Sequence, residues 1–132
     1  MSQENIQKAR SYIDAYNRRD FDAAMEWFDP EIEWVLPARQ SSDSGRGPEA
    51  VRRFWARLDE SFDELTLMPQ EFVDSGDWVA TRLRYFMRGK GSGAEVEGEL
   101  YHQLATFRDG WMVRLEYFAE WSEALAAAGL SE

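Results

Sequence analysis

Residues 78–120 read WVATRLRYFMRGKGSGAEVEGELYHQLATFRDGWMVRLEYFAE. Three runs rich in β-branched and aromatic residues, Trp78 to Arg88, Glu95 to Phe107 and Trp111 to Glu120, are separated by GKGSG and RDG, which predicts an antiparallel meander. If Asp109-Gly110 is a two-residue hairpin turn, Arg108 opposes Trp111, and unbroken pairing sets Thr106 against Val113, Leu104 against Leu115 and His102 against Tyr117. Closing GKGSG so that Arg88 opposes Glu95 sets Arg84 against Glu99, Tyr85 against Gly98, Leu83 against Leu100 and Thr81 against His102. Both hairpins then share one apolar face. A slip of one residue would bury Arg82, Arg84, Arg88 and several glutamates together, so that face is expected to be the concave, covered one. Glu99, Tyr101, Gln103, Ala105 and Phe107 are expected on the charged outer side, with Arg114 and Glu116 opposite them.

Upstream, Ile6, Ala9, Ile13 and Tyr16 recur at helical spacing from Asn5 to about Arg19. Asp20 caps a short second helix carrying Phe21, Ala24, Met25 and Phe28, which must stop by Asp29-Pro30. Glu31 to Leu36 alternates as a first strand, Ala38 to Gly47 is a polar loop, and Pro48 opens a third helix with Val51, Phe54, Trp55, Leu58 and Phe62 on one stripe. Leu65 to Val73 is a further strand. A final helix runs from near Ser122 to Ala128-Gly129, where glycine supplies the left-handed stop. Helices first and a meander afterwards predict one α+β domain over 1–132, a curved antiparallel sheet with helices packed on its concave face.

The 132 residues carry 25 acidic and 15 basic side chains, a formal charge of −10, which repels phosphate backbones and anionic lipid. Nucleic acid and membrane are therefore not expected as partners. Without cysteine there is no thiolate catalysis, disulfide or Cys-ligated metal, and the single histidine cannot build a multi-histidine site. No metal and no cofactor are expected. The N-terminal MSQENIQKAR is polar and no apolar run approaches a membrane span, which predicts a cytoplasmic protein.

Four stretches, ARSYIDAYNRRDFDAAMEWFDPEIEW, GPEAVRRFWARLDESF, DSGDWVATRLRYFMRGKGSGAEVE and TFRDGWMVRLEYFAEWSEALAAAGL, together resemble SnoaL-like proteins of the nuclear transport factor 2-like superfamily. The resemblance spans nearly the whole chain. It implies a cone-like α+β barrel with a pocket between sheet and helices, commonly a homodimer packed through the outer face of the sheet. The superfamily holds polyketide cyclases, ketosteroid isomerases, epoxide hydrolases, dehydratases and non-catalytic binding proteins. Ketosteroid isomerases use a tyrosine on the first helix, an aspartate base ending the first strand and a protonated aspartate on a later strand. Tyr12 matches the first, but Leu36 stands at the second and His102 at the third. The charged triad of limonene-type epoxide hydrolases falls on Leu83, Tyr85 and Tyr117 and is absent.

His102 is the one side chain that ordinarily titrates near neutrality, and the pairing above puts it indoors beside Tyr117 and Thr81. It is a candidate proton carrier, with Tyr12 and Tyr117 as donors to a developing enolate oxygen; the plainer reading is a core histidine bonded to a tyrosine. Tyr16, Trp34, Leu36, Trp55, Leu58, Leu83, Tyr85, Leu104 and Leu115 are candidate walls for a hydrophobic ligand, though such stripes also make ordinary core. Arg39 is placed to reach a ligand carboxylate at the pocket mouth. GKGSG lacks the strand-to-helix setting of a phosphate loop. The chemistry expected is metal-independent general acid–base catalysis (cyclase, isomerase or hydratase-like) on a small hydrophobic carbonyl compound; the alternative is a protein that binds such a molecule without converting it.

Overall fold

The turn at Asp109-Gly110 forms as its sequence predicts, with both residues left-handed at φ 54° and 83°, the geometry that matches the twist of a two-residue hairpin. It joins β6 (His102–Arg108) to β7 (Trp111–Phe118) in a computed structural model that describes residues 2–37 and 44–129. The other elements are α1 (Ser2–Asn17), α2 (Phe21–Ala24), β1 (Phe28–Val35), β2 (Gly45–Arg46), α3 (Pro48–Ser61), β3 (Phe62–Ser75), β4 (Trp78–Gly89), β5 (Glu95–Gly98) and α4 (Trp121–Ala127). The sheet runs β2-β1-β7-β6-β4-β3 with β5 paired to β4, and only β1 against β7 is parallel. The result is the α+β class with a curled, open, largely antiparallel sheet.

Several boundaries differ from the sequence reading. Phe28 opens β1 instead of closing the second helix, and Phe62 opens β3 instead of closing the third. Pro30, which lacks a donor for a strand ladder, falls where the β1–β7 pairing shifts between Phe28 and Glu33. Gly45 and Arg46 pair with Trp34 and Glu33, where a loop was expected; a Cβ on Gly45 would come within 2.7 Å of Ala50 Cβ, so the backbone passes α3 only as glycine. The long strand expected from Glu95 to Phe107 is two strands, broken at 99–101.

Two one-residue shifts decide which side chains look inward. Phe107 pairs with Met112 but Thr106 pairs with Arg114, so Val113 is an extra residue on β7. Tyr85 pairs with Gly98 but Thr81 pairs with Gln103, so three β4 residues face four residues at 99–102. Past these bulges Gln103, and not His102, stands opposite both Tyr117 and Thr81. The reason lies in β7. Met112 and Leu115 are both buried in one cluster while Arg114 and Glu116 stay at the partly exposed surface, and strict alternation cannot satisfy all four without an added residue.

The main core lies between the concave face and α1 to α3, with Ile13, Ile32, Val79, Leu83 and Leu115 fully buried. A second core occupies the opposite face, where Trp121, Ala124 and Leu125 of α4 cover Ala80 and Leu104. The expectation that the helices gather on the concave face therefore holds for α1 to α3 and is corrected for α4. Beyond α4 the outer face carries a ladder of ion pairs, Arg82–Glu99 at 2.8 Å, Arg84–Glu97 at 3.5 Å and Arg88–Glu64 at 3.2 Å. Each is part-exposed and adds about 0–1 kcal/mol, so the ladder fixes register more than stability. No helix among the described residues is long and apolar enough to cross a membrane.

Candidate active site

Two tethers hold α1 across the concave face. Lys8 Nζ donates to Gly110 O of the hairpin turn at 2.7 Å and lies 4.1 Å over the Trp27 ring. At the other end Asn17 Nδ2 donates to Leu67 O at 2.8 Å while Asn17 Oδ1 accepts from Leu67 N–H at 3.0 Å, so one amide occupies the free edge of β3 as a strand would. Between the tethers Tyr12 and Tyr16 lie one helical turn apart. From α3, Trp55 sits against both, with ring centroids 6.2 Å and 5.3 Å away. From β1, Trp34 meets Tyr117 edge-on at 5.2 Å.

These rings enclose part of a cavity of about 450 Å³, a size that suits a drug-sized ligand. Its described walls are Tyr12, Tyr16, Trp34, Leu36, Pro37, Phe54, Trp55, Leu58, Phe62, Leu65, Leu67, Tyr85, Met87, Leu100, Tyr101, Tyr117 and Ala119. All five tyrosines of the chain are among them, and no charged side chain is. Hydroxyls and indoles are poor metal ligands, and among the described residues no three His, Asp or Glu side chains cluster as a metal site.

Polarity is concentrated at one place. Gln103 Nε2 donates to the Tyr117 hydroxyl oxygen at 2.8 Å, and that oxygen lies 3.1 Å from the Tyr12 hydroxyl. Gln103 is only 1% exposed, so its amide depends on this partner. Burial pushes the phenol of Tyr12 well above its usual range, and the neighbouring Tyr117 adds to the rise. Burial likewise raises Tyr117 and Tyr85, and it raises Tyr16 against the opposing pull of Arg19. The phenols are thus held as neutral O–H donors. The Tyr16 hydroxyl and the Trp34 Nε1–H are buried without a hydrogen-bond partner.

Of the residues singled out from sequence, Tyr12, Tyr117, Tyr16, Trp34, Leu36, Trp55, Leu58 and Tyr85 meet at this cavity. Leu83 and Leu115 pack in the core on the same side without lining it, and Leu104 lies on the opposite face beneath α4. His102 is a correction. The bulges turn it to the α4 side, where it is 2% exposed, edge-on to Trp121 at 5.6 Å, with Nδ1 accepting from Leu83 N–H at 3.1 Å and Nε2 3.6 Å from Glu99. It is a core histidine bonded to backbone, and burial lowers its affinity for a proton despite the pull of Glu99. Arg39 lies outside the described residues. Sequence reasoning missed Gln103 and Tyr101, both assigned to the outer face by unbroken pairing, and the walls from Phe54, Phe62, Leu65, Leu67, Met87 and Leu100. The signal that finds Gln103 is the switch of apolar parity between Met112 and Leu115.

A curled sheet with helices across its hollow and a tyrosine-lined cavity between them defines a protein of the nuclear transport factor 2-like class. More narrowly, the chain matches the SnoaL-like domain over residues 9–115 and belongs to that family. Similar solved structures include a nuclear transport factor 2-like protein of unknown function from Burkholderia pseudomallei, 22% identical with a TM-score of 0.79 over 93% of this chain and 95% of that one. Another is a putative SnoaL-like polyketide cyclase from Jannaschia sp. CCS1, 21% identical, TM-score 0.76, over 99% and 95% of the two chains. A third is AclR, a putative hydroxylase from Streptomyces galilaeus, 17% identical, TM-score 0.74, over 98% and 87%. No curated protein matches.

Proposed function

We propose that the chain is a small-molecule enzyme of SnoaL-like type, performing metal-independent general acid–base chemistry of the cyclase, isomerase or hydratase kind on a hydrophobic carbonyl compound in the cavity. The observation that carries the reading is the Tyr117–Tyr12 pair, backed by Gln103, in an uncharged wall of aromatic and aliphatic side chains. Two phenols and one O···O contact leave one phenolic proton uncommitted, and in a largely apolar setting such a donor stabilises negative charge developing on a carbonyl oxygen. The proton leaving the adjacent carbon passes to water or to a basic group of the substrate, since no carboxylate or imidazole lines the described wall. The family and the cyclase-like and hydroxylase-like neighbours support the same reading as analogy. The proposal includes a homodimer through the part of the outer face that α4 leaves open, and a cytoplasmic location that rests on the sequence alone.

The absence of a carboxylate or imidazole from the described wall favours a second reading, a non-catalytic protein that binds the same class of ligand. One experiment separates them. Acetylnaphthalene in D₂O is followed by NMR for exchange of its methyl protons, with and without the protein. Acceleration by the wild type that falls about 10²-fold in the double variant Tyr12→Phe/Tyr117→Phe, since either phenol alone keeps a free O–H, supports the enzyme. Saturable binding with no acceleration decides for the binding protein.

A further inference from the structure

We infer that Gln103 is a specificity-determining residue: by donating to Tyr117 instead of accepting from it, it leaves the phenol pair a hydrogen-bond donor towards the cavity, so that the site selects ligands presenting a carbonyl acceptor. The inference rests on the reading of the cavity as a ligand site and adds the residue that sets its polarity.

The Gln103 amide nitrogen has hydrogens and no lone pair to offer, so at 2.8 Å the Tyr117 oxygen is the acceptor. Tyr117 and Tyr12 then hold two O–H bonds for one O···O contact of 3.1 Å. If Tyr117 donates to Tyr12, the Tyr12 proton is left over; if Tyr12 donates to Tyr117, the Tyr117 proton is. Either direction leaves one donor for a ligand. The first forms an unbroken relay in which each oxygen both accepts and donates, and such relays polarise each bond in turn. An acceptor in place of the amide nitrogen reverses the outcome. Tyr117 would donate to it, Tyr12 would donate to Tyr117, and no proton would remain. A neutral amide does not titrate, Thr81 opposite it offers an uncharged hydroxyl without a partner, and the titratable groups beside the phenol pair, Tyr16 and Tyr85, are held neutral by burial.

Gln103→Glu supplies that acceptor with almost no change of shape, and the probe is prodan, a neutral naphthyl ketone whose emission moves to the red when its carbonyl accepts a hydrogen bond. Wild type should bind prodan with red-shifted emission and an affinity constant within about twofold from pH 5 to 9. In Gln103→Glu the protonated acid still donates at low pH, so binding and emission should match wild type. As the buried acid ionises the affinity should fall about tenfold or more and the remaining bound emission should move to the blue. Recovery at low pH shows in the same sample that the variant is folded. A variant with pH-independent binding, or with binding that strengthens on ionisation, overturns the inference. If the variant does not fold, wild type carries the test alone, and bound emission at the position prodan shows in alkanes overturns it. Failure of wild type to bind prodan at all overturns the cavity reading itself and this inference with it, whereas tight binding with blue emission leaves the cavity a ligand site and overturns this inference.

Discussion

Gln103 Nε2 lies 2.8 Å from the Tyr117 hydroxyl, and the two residues face each other directly across the β6–β7 pair. The contact joins a fully buried amide to the phenol that also meets α1 through Tyr12. It therefore ties the sheet to the helical layer at the cavity, and removing either end has unequal costs.

Tyr117→Phe strands the Gln103 amide without its partner, whereas Tyr12→Phe leaves the Gln103–Tyr117 bond intact. A buried donor left unpaired costs about 1–3 kcal/mol, against about 1 kcal/mol for one net hydrogen bond. Urea unfolding should place Tyr117→Phe below Tyr12→Phe in stability. The reverse order would mean that the amide finds another partner.

The residues that were legible and those that were not divide along a physical line. The elements, the Asp109-Gly110 turn and most aromatic walls were legible because helical spacing, strand alternation and turn chemistry are local. Register past a bulge is not local. Val113 and the extra residue at 99–102 each shift β6 by one relative to a neighbour, so the two hairpins agreed with each other while both misplaced His102, Leu104, Gln103 and Tyr101. The same shift hid the second core, because Leu104 looks outward to α4 beside Ala80 only once the bulges are in place.

Trp34→Phe offers a test of an unpaired donor. The Trp34 Nε1–H is buried with no partner, between Phe54 and Tyr117 at 5.6 Å and 5.2 Å. Losing the larger ring costs packing, but losing an unsatisfied donor returns about 1–3 kcal/mol. The two should nearly cancel, leaving thermal unfolding within a few degrees of wild type. A loss of more than about 3 kcal/mol would reveal a satisfied indole.

The proposed homodimer is also open to measurement. Phe86 stands between Arg84 and Arg88 on the outward side of β4, beyond the reach of the α4 cluster, and those arginines are already paired within the chain. An interface there depends on Phe86 more than on new ion pairs. Sedimentation at micromolar concentration should show a dimer that Phe86→Asp weakens at least tenfold. A wild-type monomer rejects this assembly.

His102 predicts how stability changes in mild acid. Burial lowers its proton affinity in the folded protein from the usual 6.5, with Arg82 acting in the same direction and Glu99 and Glu120 opposing. Below about pH 6.5 the unfolded chain therefore binds a proton that the folded chain resists, and stability falls as pH falls, by at most about 1.4 kcal/mol per pH unit for one group. Above about pH 7.5 the imidazole is neutral in both states and contributes no pH dependence. Glu99, whose carboxyl Arg82 holds below its ordinary 4.5, adds its own loss only in the lower window where the unfolded carboxyl takes up a proton. His102→Asn keeps an acceptor for Leu83 N–H but does not titrate. Denaturant unfolding between pH 7 and 5 should accordingly slope in the wild type and flatten in this variant. Equal slopes in the two proteins would show that protonation of His102 costs the fold nothing and would refute its tight packing beneath Trp121.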